Sequence, residues 1–184
     1  MPLWLLLTTL SGAAGAEPTL RGFAGEWERV GSEPTQERLS AIETAITPLS
    51  WVMRGIAGPV LRNSTQPSAR YVFEVDDDGV RMSSRGEAPS PLTLDGQTRI
   101  ARSDRGVFEV RSERQGDGIR THWKAEEAYG SNTFELQGLG EEMIVSTTLV
   151  VTAISGVKPI VYAERFRRAP PQPSPAAGAP PGKE

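Results

Sequence analysis

The sequence contains no cysteine among its 184 residues, and its only histidine is His122. Without thiols the chain cannot form disulfides, thiolate zinc sites or a cysteine nucleophile. One imidazole is too few for a metal site built from histidines. We therefore expect a fold that depends on its hydrophobic core alone, with no metal site and no cofactor.

Strong charge of either sign is also missing. The chain has 20 basic and 23 acidic residues, which give a formal net charge of -3. Nucleic-acid-binding proteins usually carry a strongly basic patch, and acidic membrane surfaces attract basic clusters. A chain of this length is typical of one domain. The composition thus predicts a single globular domain without a nucleic-acid partner.

The two ends of the chain differ from its middle. Residues 3–10 form an apolar run, followed by the small-residue cleavage pattern Ala14-Gly15-Ala16. The run is shorter than the roughly 20 residues of a membrane span, so we expect no transmembrane segment. We expect residues 1–16 to be a signal peptide cleaved after Ala16, which implies a periplasmic or extracellular protein; an ordinary apolar N-terminus is the alternative.

The last sixteen residues, 169–184, are mostly Pro, Ala and Gly. Such a segment has almost nothing to bury, and this composition is typical of a disordered tail. A solvated tail is the simpler interpretation, and docking of a protein partner on the Pro-rich tail is the alternative. The folded domain is then expected to span residues 21–168.

A helical insertion is predicted at about residues 34–62. Apolar residues recur there three or four positions apart, at Leu39, Ile42, Ile46, Leu49, Met53 and Ile56. Thr47-Pro48 has the pattern of an N-cap followed by the first helical residue, and Gly58-Pro59 that of a stop or kink. The pattern therefore predicts two short helices or one kinked helix.

From residue 69 onward the apolar period changes from three or four to two. Tyr71, Phe73 and Val75 alternate with other residues, and turn sequences recur, first at Asp76–Gly79 and again at Asp95-Gly96. Eight to ten short strands with tight turns predict an antiparallel meander. Because closure removes the free edges of such a sheet, we predict a mainly β fold, an antiparallel up-and-down β-barrel of 8–10 strands. A two-sheet sandwich is the structural alternative.

The stretch Gly25-Glu26-Trp27, placed on the first strand before a meander that ends in arginines, resembles the lipocalins. In that family the Trp closes the narrow end of the barrel and a late Arg packs across its indole ring. The resemblance implies that Gly25 and Trp27 close the barrel, with Arg165 or Arg167 as the cation. The helical insertion after the first strand is closer to the intracellular fatty-acid-binding proteins. The resemblance therefore extends to the calycin superfamily as a whole.

The second half of the chain is also similar to secreted bacterial lipocalin-like proteins of unknown role. The similarity lies at Leu94-Asp95-Gly96 and at Ser131-Asn132-Thr133-Phe134. It adds no activity to the prediction, because the role of those proteins is itself unknown.

A barrel of this size holds one small ligand or is filled by its own side chains. The expected lining residues are Tyr71, Phe73, Met82, Phe108, Trp123 and Tyr162, with Trp51 and Met53 covering the mouth. Plain core packing is the alternative for each aromatic residue. Arg165 is a further candidate, because it would meet a ligand carboxylate if it faced inward.

The sequence has no Gly-x-Ser-x-Gly elbow, Gly-x-Gly-x-x-Gly cradle or P-loop. His122 lies at a strand position that alternates outward with Arg120 and Lys124, which does not favour a catalytic role. We therefore predict a binding protein and not an enzyme, with a small, mostly hydrophobic and fatty-acid-like molecule as its ligand. The alternative function is a structural or interaction module of the cell envelope, with a filled barrel and no ligand.

Overall fold

The structure is a computed structural model that describes residues 20–31, 35–65, 68–77, 79–84, 90–103 and 106–170. The expected signal peptide and all but the first two residues of the expected tail lie outside these residues. The described part contains ten strands and two α-helices. The strands are β1 Gly25–Arg29, β2 Arg70–Asp76, β3 Gly79–Ser84, β4 Ser90–Pro91, β5 Asp95–Ser103, β6 Gly106–Gln115, β7 Gly118–Lys124, β8 Ala128–Gln137, β9 Glu142–Val151 and β10 Ile160–Arg168. The helices are α1 Gln36–Ile46 and α2 Trp51–Ser64, and 3-10 turns span Leu20–Phe23 and Gly138–Gly140.

All ten strands belong to one antiparallel sheet with the order β4-β3-β2-β1-β10-β9-β8-β7-β6-β5. The first and last strands pair at its centre, because Trp27 lies opposite Arg168 and Arg29 opposite Phe166. The two edge strands, β4 and β5, are separated by only residues 92–94. This topology confirms the predicted meander and is not that of a two-sheet sandwich.

The sheet is curled. Tyr71 on β2 and Phe134 on β8 lie four strands apart in the sheet order, which in a flat sheet is about 19 Å. Their ring centroids are only 5.3 Å apart, in an edge-on arrangement. The strands therefore form a half-barrel whose concave face is the one that carries Tyr71 and Phe134, as predicted for a barrel-like fold.

The helix pair lies between β1 and β2, where the sequence predicted it. The Thr35 side chain caps α1 by accepting from the Arg38 backbone N–H at 3.3 Å, and Ser50 caps α2 by accepting from the Met53 N–H at 3.4 Å. Neither of these described helices is long and apolar enough to cross a bilayer.

Two local helix predictions were wrong. Thr47 follows the last residue of α1 and does not cap α2, since its hydroxyl donates to the Glu43 carbonyl one turn back, at 2.9 Å. The predicted stop at Gly58-Pro59 is wrong because Pro59 lies inside α2 and the helix continues to Ser64, while the alternative of a kink there stays a prediction. Thr47-Pro48 and Gly58-Pro59 have genuine local preferences for the start and the end of a helix. Packing of the helices against the sheet nevertheless decides where each helix begins and ends.

The predicted turn at Asp95-Gly96 is also wrong, because β5 begins there. The pairing register of β5 with β6 shifts between Asp95 and Thr98. The Asp95 carboxylate accepts from the Gln97 N–H at 2.9 Å and pairs with the Arg99 guanidinium at 2.7 Å. A side chain that bonds its own backbone two residues on makes a turn-like local structure within a strand, which is why the sequence signal indicated a hairpin.

Candidate ligand-binding site on the concave face

The pairing register assigns each strand residue to one face of the sheet, because directly opposite residues share a face and neighbours along a strand alternate. Phe134 lies opposite Val145 and Ile119, so all three are concave. Two residues further along each strand the face is the same. The concave face can therefore be followed across the sheet from β10 to β6.

An aromatic cluster fills one end of the half-barrel. Tyr71 and Phe73 contact Phe134 at centroid distances of 5.3 and 5.6 Å, and Tyr71 contacts Phe166 at 5.1 Å. Phe23 from the first 3-10 turn contacts Phe73 at 5.6 Å. Apart from Tyr71, which is 9% exposed, these rings are almost wholly removed from water. Two of the predicted lining residues, Tyr71 and Phe73, thus belong to a packed core.

Trp27, the residue to which the resemblance gives the closing role, belongs to the same core cluster as these aromatic rings. Its side chain is fully buried and its indole N–H donates to the Phe23 carbonyl at 2.8 Å. The cation over the indole ring is Arg168, whose guanidinium carbon lies 4.5 Å from the ring centroid. The predictions of Arg165 and Arg167 were therefore wrong by one to three residues, because in the actual register it is position 168 that lies opposite Trp27.

Gly25 has a physical role in the same arrangement. Its φ of 120° is a conformation that side chains disfavour, and a Cβ there would lie 3.0 Å from the Arg168 guanidinium. The guanidinium also donates to the carbonyls of Ala24 and Gly22, the latter at 2.6 Å. The missing side chain at Gly25 therefore gives Arg168 room to cover the indole.

Above the aromatic cluster, five neighbouring strands present polar side chains in one line. Directly opposite pairs connect them from β10 to β6, and we call this line the polar row: Tyr162, Thr147, Asn132, Thr121 and Ser112. The Thr147 hydroxyl donates to the Asn132 carbonyl oxygen at 3.0 Å, and the Ser112 and Thr121 hydroxyls share a hydrogen bond of 3.1 Å. Polar groups are thus continuous across the concave face.

Apolar residues flank the polar row on both sides. On the side of the aromatic cluster lie Val145, Phe134 and Ile119. On the opposite side the register places Leu149, Trp123 and Val110, with Gly130 between the first two. Gly130 leaves space for the Trp123 indole, because a Cβ at this position would lie 2.9 Å from the ring.

The helices cover the β10 end of this surface. Their buried residues Ile42, Ile46 and Leu61 form a second core cluster with Leu149, Ile160 and Tyr162 of the sheet. The predicted lining residue Tyr162 lies here, and its hydroxyl donates to the Thr65 carbonyl at 3.2 Å. Burial raises the pKa of this phenol above its usual range, so Tyr162 is a neutral hydrogen-bonding group.

A charged cluster lies under the first turn of α1. The Arg29 guanidinium and the Glu164 carboxylate are 3.8 Å apart, with side chains 13% and 2% exposed. Arg38, equally buried, donates to the Thr65 carbonyl at 2.8 Å. Desolvation raises the pKa of Glu164, and the positive charges of Arg29 and Arg38 oppose that rise. The cluster links β1, β10 and α1.

Several apolar residues of the concave face remain partly accessible to solvent. Three of them were predicted to line the site, namely Met82, Phe108 and Trp123, and Val75 and Val110 share their face and exposure. These residues lie on both sides of the opening between the edge strands. Their partial exposure leaves apolar side chains of the concave face in contact with solvent.

The remaining predicted site residues lie elsewhere. Trp51 and Met53, expected to cover the mouth, are 82% and 40% exposed on α2, whose buried residues are Ala57, Gly58 and Leu61. Arg165 is on the convex face, where it pairs with Glu142 at 3.8 Å. The structure corrects these three predictions, because neither the helix face nor the strand parity is fixed by local sequence.

A shallow depression of about 250 Å³ lies on the convex face, between β5 and β8, and includes Glu109, Arg111 and His122. The His122 ring lies 3.3 Å from the Glu113 carboxylate. Across the described ranges, no three His, Asp or Glu side chains are grouped as a metal site would require. The only histidine of the sequence thus lines this depression and contacts a carboxylate of the neighbouring strand.

Sequence reasoning did not identify the polar row. Asn132, Thr121 and Ser112 look like ordinary surface residues of strands, yet Asn132 is two residues from Phe134 and Thr121 two residues from Ile119. Residues two apart share a face, so the predicted lining residue Trp123 carries the signal that Thr121, two residues before it, also points inward.

Comparisons with known proteins support the fold. No protein-family model matches the chain, and no curated protein sequence matches it. Among solved structures, it is similar to an abundant heat soluble (SAHS) protein from Ramazzottius varieornatus, with a TM-score of 0.52, 8% identity and coverage of 84% of this chain and 100% of that one. It is also similar to a Schistosoma mansoni fatty acid binding protein in complex with arachidonic acid, with a TM-score of 0.51, 16% identity and coverage of 83% and 99%.

A third similar structure is the fluorescent protein UnaG with an N57A substitution, with a TM-score of 0.50, 13% identity and coverage of 83% and 100%. At these identities the similarity concerns the fold alone. The calycin-like, lipocalin-like fold inferred from Gly25, Trp27 and the meander is therefore confirmed.

Proposed function

We propose that this protein binds a small, mostly hydrophobic molecule on its concave face and does not act as an enzyme. The observation that carries the proposal is the partly accessible apolar surface formed by Met82, Phe108, Val110 and Trp123. An apolar ligand placed there would remove that surface from water, which contributes about 25 cal/mol for each Å² buried. The similar fold of a protein solved with arachidonic acid agrees with such a ligand.

The proposed location is the periplasm or the extracellular space. The support is the apolar run of residues 3–10 and the cleavage pattern that ends at Ala16. Expression of the full chain in a bacterium, followed by N-terminal sequencing of the periplasmic fraction, tests this proposal. We expect a mature protein that begins at Glu17; an uncleaved protein in the cytoplasmic fraction would contradict it.

The binding proposal is tested by displacement of 1-anilinonaphthalene-8-sulfonate, a fluorescent apolar probe, by fatty acids. A matched pair of variants on β6 localises the site. Val110→Asp places a charge on the concave face, whereas Val107→Asp places the same charge on the convex face, where Val107 is 52% exposed. We expect Val110→Asp to lose at least tenfold in affinity and Val107→Asp to bind as the unmodified protein does. Equal binding by both variants would place the site elsewhere.

A second function, a structural or interaction module without a ligand, is favoured by the aromatic cluster that fills one end of the half-barrel. A ligand raises the unfolding temperature by mass action, whereas a filled barrel gains nothing from added lipophiles. Thermal unfolding with and without a panel of fatty acids separates the two. No shift with any of them, together with no probe binding, would favour the ligand-free module.

A further inference from the structure

The polar row divides the concave face into two apolar strips. The strip beside the aromatic cluster contains Val145, Phe134 and Ile119, and the other contains Leu149, Trp123 and Val110. The row itself is continuous, because each of its members lies directly opposite the next one. Val145, Phe134 and Ile119 are buried in the aromatic cluster, so a molecule lying against the partly exposed Trp123 and Val110 meets the polar row where the accessible apolar surface ends.

The hydrogen bonds within the row leave donors unused. Asn132 uses its carbonyl oxygen to accept from Thr147, but its two amide N–H groups have no acceptor within the part of the chain that the structure describes. Ser112 and Thr121 share one hydrogen bond, so one of the two hydroxyl hydrogens has no protein acceptor there. Both residues are buried, with 4% of Ser112 and 8% of Thr121 exposed. The row thus offers unused donors from Asn132 and from the Ser112–Thr121 pair, beside hydroxyl oxygens that can also accept.

These donors lie close together. Asn132 and Thr121 are directly opposite residues of adjacent strands, whose Cβ atoms are about 4.5–5.5 Å apart. When Ser112 donates to Thr121, the Thr121 hydroxyl hydrogen is free, and one oxygen atom placed between the two residues can accept from both. Because the accessible strip beside the row is apolar, at Trp123 and Val110, a ligand that delivers such an oxygen needs apolar groups next to it.

We propose that the ligand is an oxygenated hydrophobic molecule, with a carbonyl or hydroxyl oxygen within its apolar body, and that Asn132 and Thr121 recognise this oxygen. The inference rests on the proposed function and adds the chemical class of the ligand. Asn132 and Thr121 are then specificity-determining residues. A site with donors that must be satisfied discriminates against a molecule of the same size that lacks the oxygen.

The test compares two acids of equal chain length, octadecanoic acid and 12-oxooctadecanoic acid, as competitors of the fluorescent probe. We expect the unmodified protein to bind the oxo acid about tenfold more tightly, as one or two neutral hydrogen bonds provide. Asn132→Leu removes the amide donors at similar volume and is expected to bring the ratio of the two affinities close to one. Octadecanoic acid should bind this variant at least as well as before.

Thr121→Val is a second, nearly isosteric variant, and it is expected to reduce the ratio to about threefold. Thr133→Val is the matched control, because Thr133 is next to Asn132 on β8 but on the convex face. It should leave the ratio unchanged. Melting temperatures of all three variants verify that they fold.

The outcomes separate this inference from the proposed function. If both acids bind the unmodified protein equally, the inference is overturned and the proposed function stands. The inference is also overturned if Asn132→Leu and Thr121→Val keep the tenfold preference, because the oxygen is then recognised elsewhere. If neither acid displaces the probe, the proposed function and the inference both fail.

Discussion

At the residue scale, Arg168 joins three parts of the chain at the closed end of the half-barrel. Its guanidinium lies over the Trp27 indole and donates to carbonyls of the first 3-10 turn and, at 3.3 Å, to the Gly140 carbonyl between β8 and β9. A cation over an indole and hydrogen bonds from a charged donor are both stabilising. One exposed arginine therefore holds chain segments that are far apart in sequence.

We expect Arg168→Ala to lower the free energy of unfolding by about 1–2 kcal/mol, because the cation–π contact and the charged hydrogen bonds are lost together. Arg167→Ala is the matched control, since Arg167 is exposed on the opposite face of the same strand, and it should change stability by less than about 0.5 kcal/mol. Urea denaturation measures both. If Arg168→Ala and Arg167→Ala lower the free energy of unfolding equally, the contact between Arg168 and Trp27 does not stabilise the protein.

Glu164 provides a pH-dependent prediction. Its raised pKa means that the folded protein binds a proton more readily than the unfolded chain does. The stability from this group is thus fully present below the unfolded pKa and is lost as pH rises through the folded pKa. We expect the stability of the unmodified protein relative to Glu164→Gln to increase as pH is lowered from neutrality toward the ordinary pKa of a glutamate.

Denaturant titrations at several pH values measure this difference, and the Gln variant cancels the contributions of all other titrating groups. If the stability difference between the unmodified protein and Glu164→Gln stays constant or decreases on acidification, the raised pKa of Glu164 is contradicted. Such a result would mean that Arg29 and Arg38 stabilise the ionised carboxylate more than burial destabilises it.

At the element scale, glycines decide how closely the central strands approach. A Cβ at Gly130 would lie 2.2 Å from the Thr148 carbonyl oxygen and 2.9 Å from the Trp123 ring, so β8 can take no side chain there without moving β9. In contrast, Gly55 on α2 has no atom within 4 Å of a built Cβ. The same residue type therefore has opposite consequences on the two elements.

We expect Gly130→Ala to destabilise the protein by at least about 1–3 kcal/mol through overpacking, whereas Gly55→Ala should stabilise it by up to about 1 kcal/mol through helix propensity. Thermal unfolding of the two variants in parallel measures whether Gly130→Ala lowers the stability and whether Gly55→Ala raises it. Tolerance of alanine at position 130 would mean that the β8–β9 spacing is looser than described.

Also at this scale, local signals predicted that elements exist better than they predicted where the elements end. The two helices were predicted from the spacing of apolar residues, but Met53 and Ile56 in that same spacing turned out to be exposed. Period alone shows that a helix has an apolar face, and the partner surface decides which face is buried. For the same reason the sequence could not tell that Trp51 points away from the sheet.

At the scale of the whole molecule, the curl of the sheet is set by contacts between distant strands. Tyr71 and Phe134 are 63 positions apart in the sequence and four strands apart in the sheet. Their rings touch only because the sheet curls enough to bring β2 and β8 face to face. In a flat sheet they would act independently. Their coupling therefore reports the tertiary fold directly.

We expect a double-mutant cycle of Tyr71→Leu and Phe134→Leu to give a coupling energy of about 0.5–1.5 kcal/mol, as aromatic pairs do. The control cycle combines Tyr71→Leu with Ile42→Val, because Ile42 belongs to the other core cluster. Its effects should add within about 0.5 kcal/mol. Additivity in the aromatic cycle would contradict the curled arrangement.

The sequence by itself determined the kinds of elements and their order: a first strand that carries Gly25-x-Trp27, a helical pair and a long antiparallel meander. These follow from local periodicity and from turn residues, which act over a few positions. Only the tertiary structure decided that Arg168 covers the indole, that Arg165 faces outward and that Asn132, Thr121 and Ser112 form a polar row. Each of these depends on strand register, and a shift of one residue in register moves every side chain to the other face.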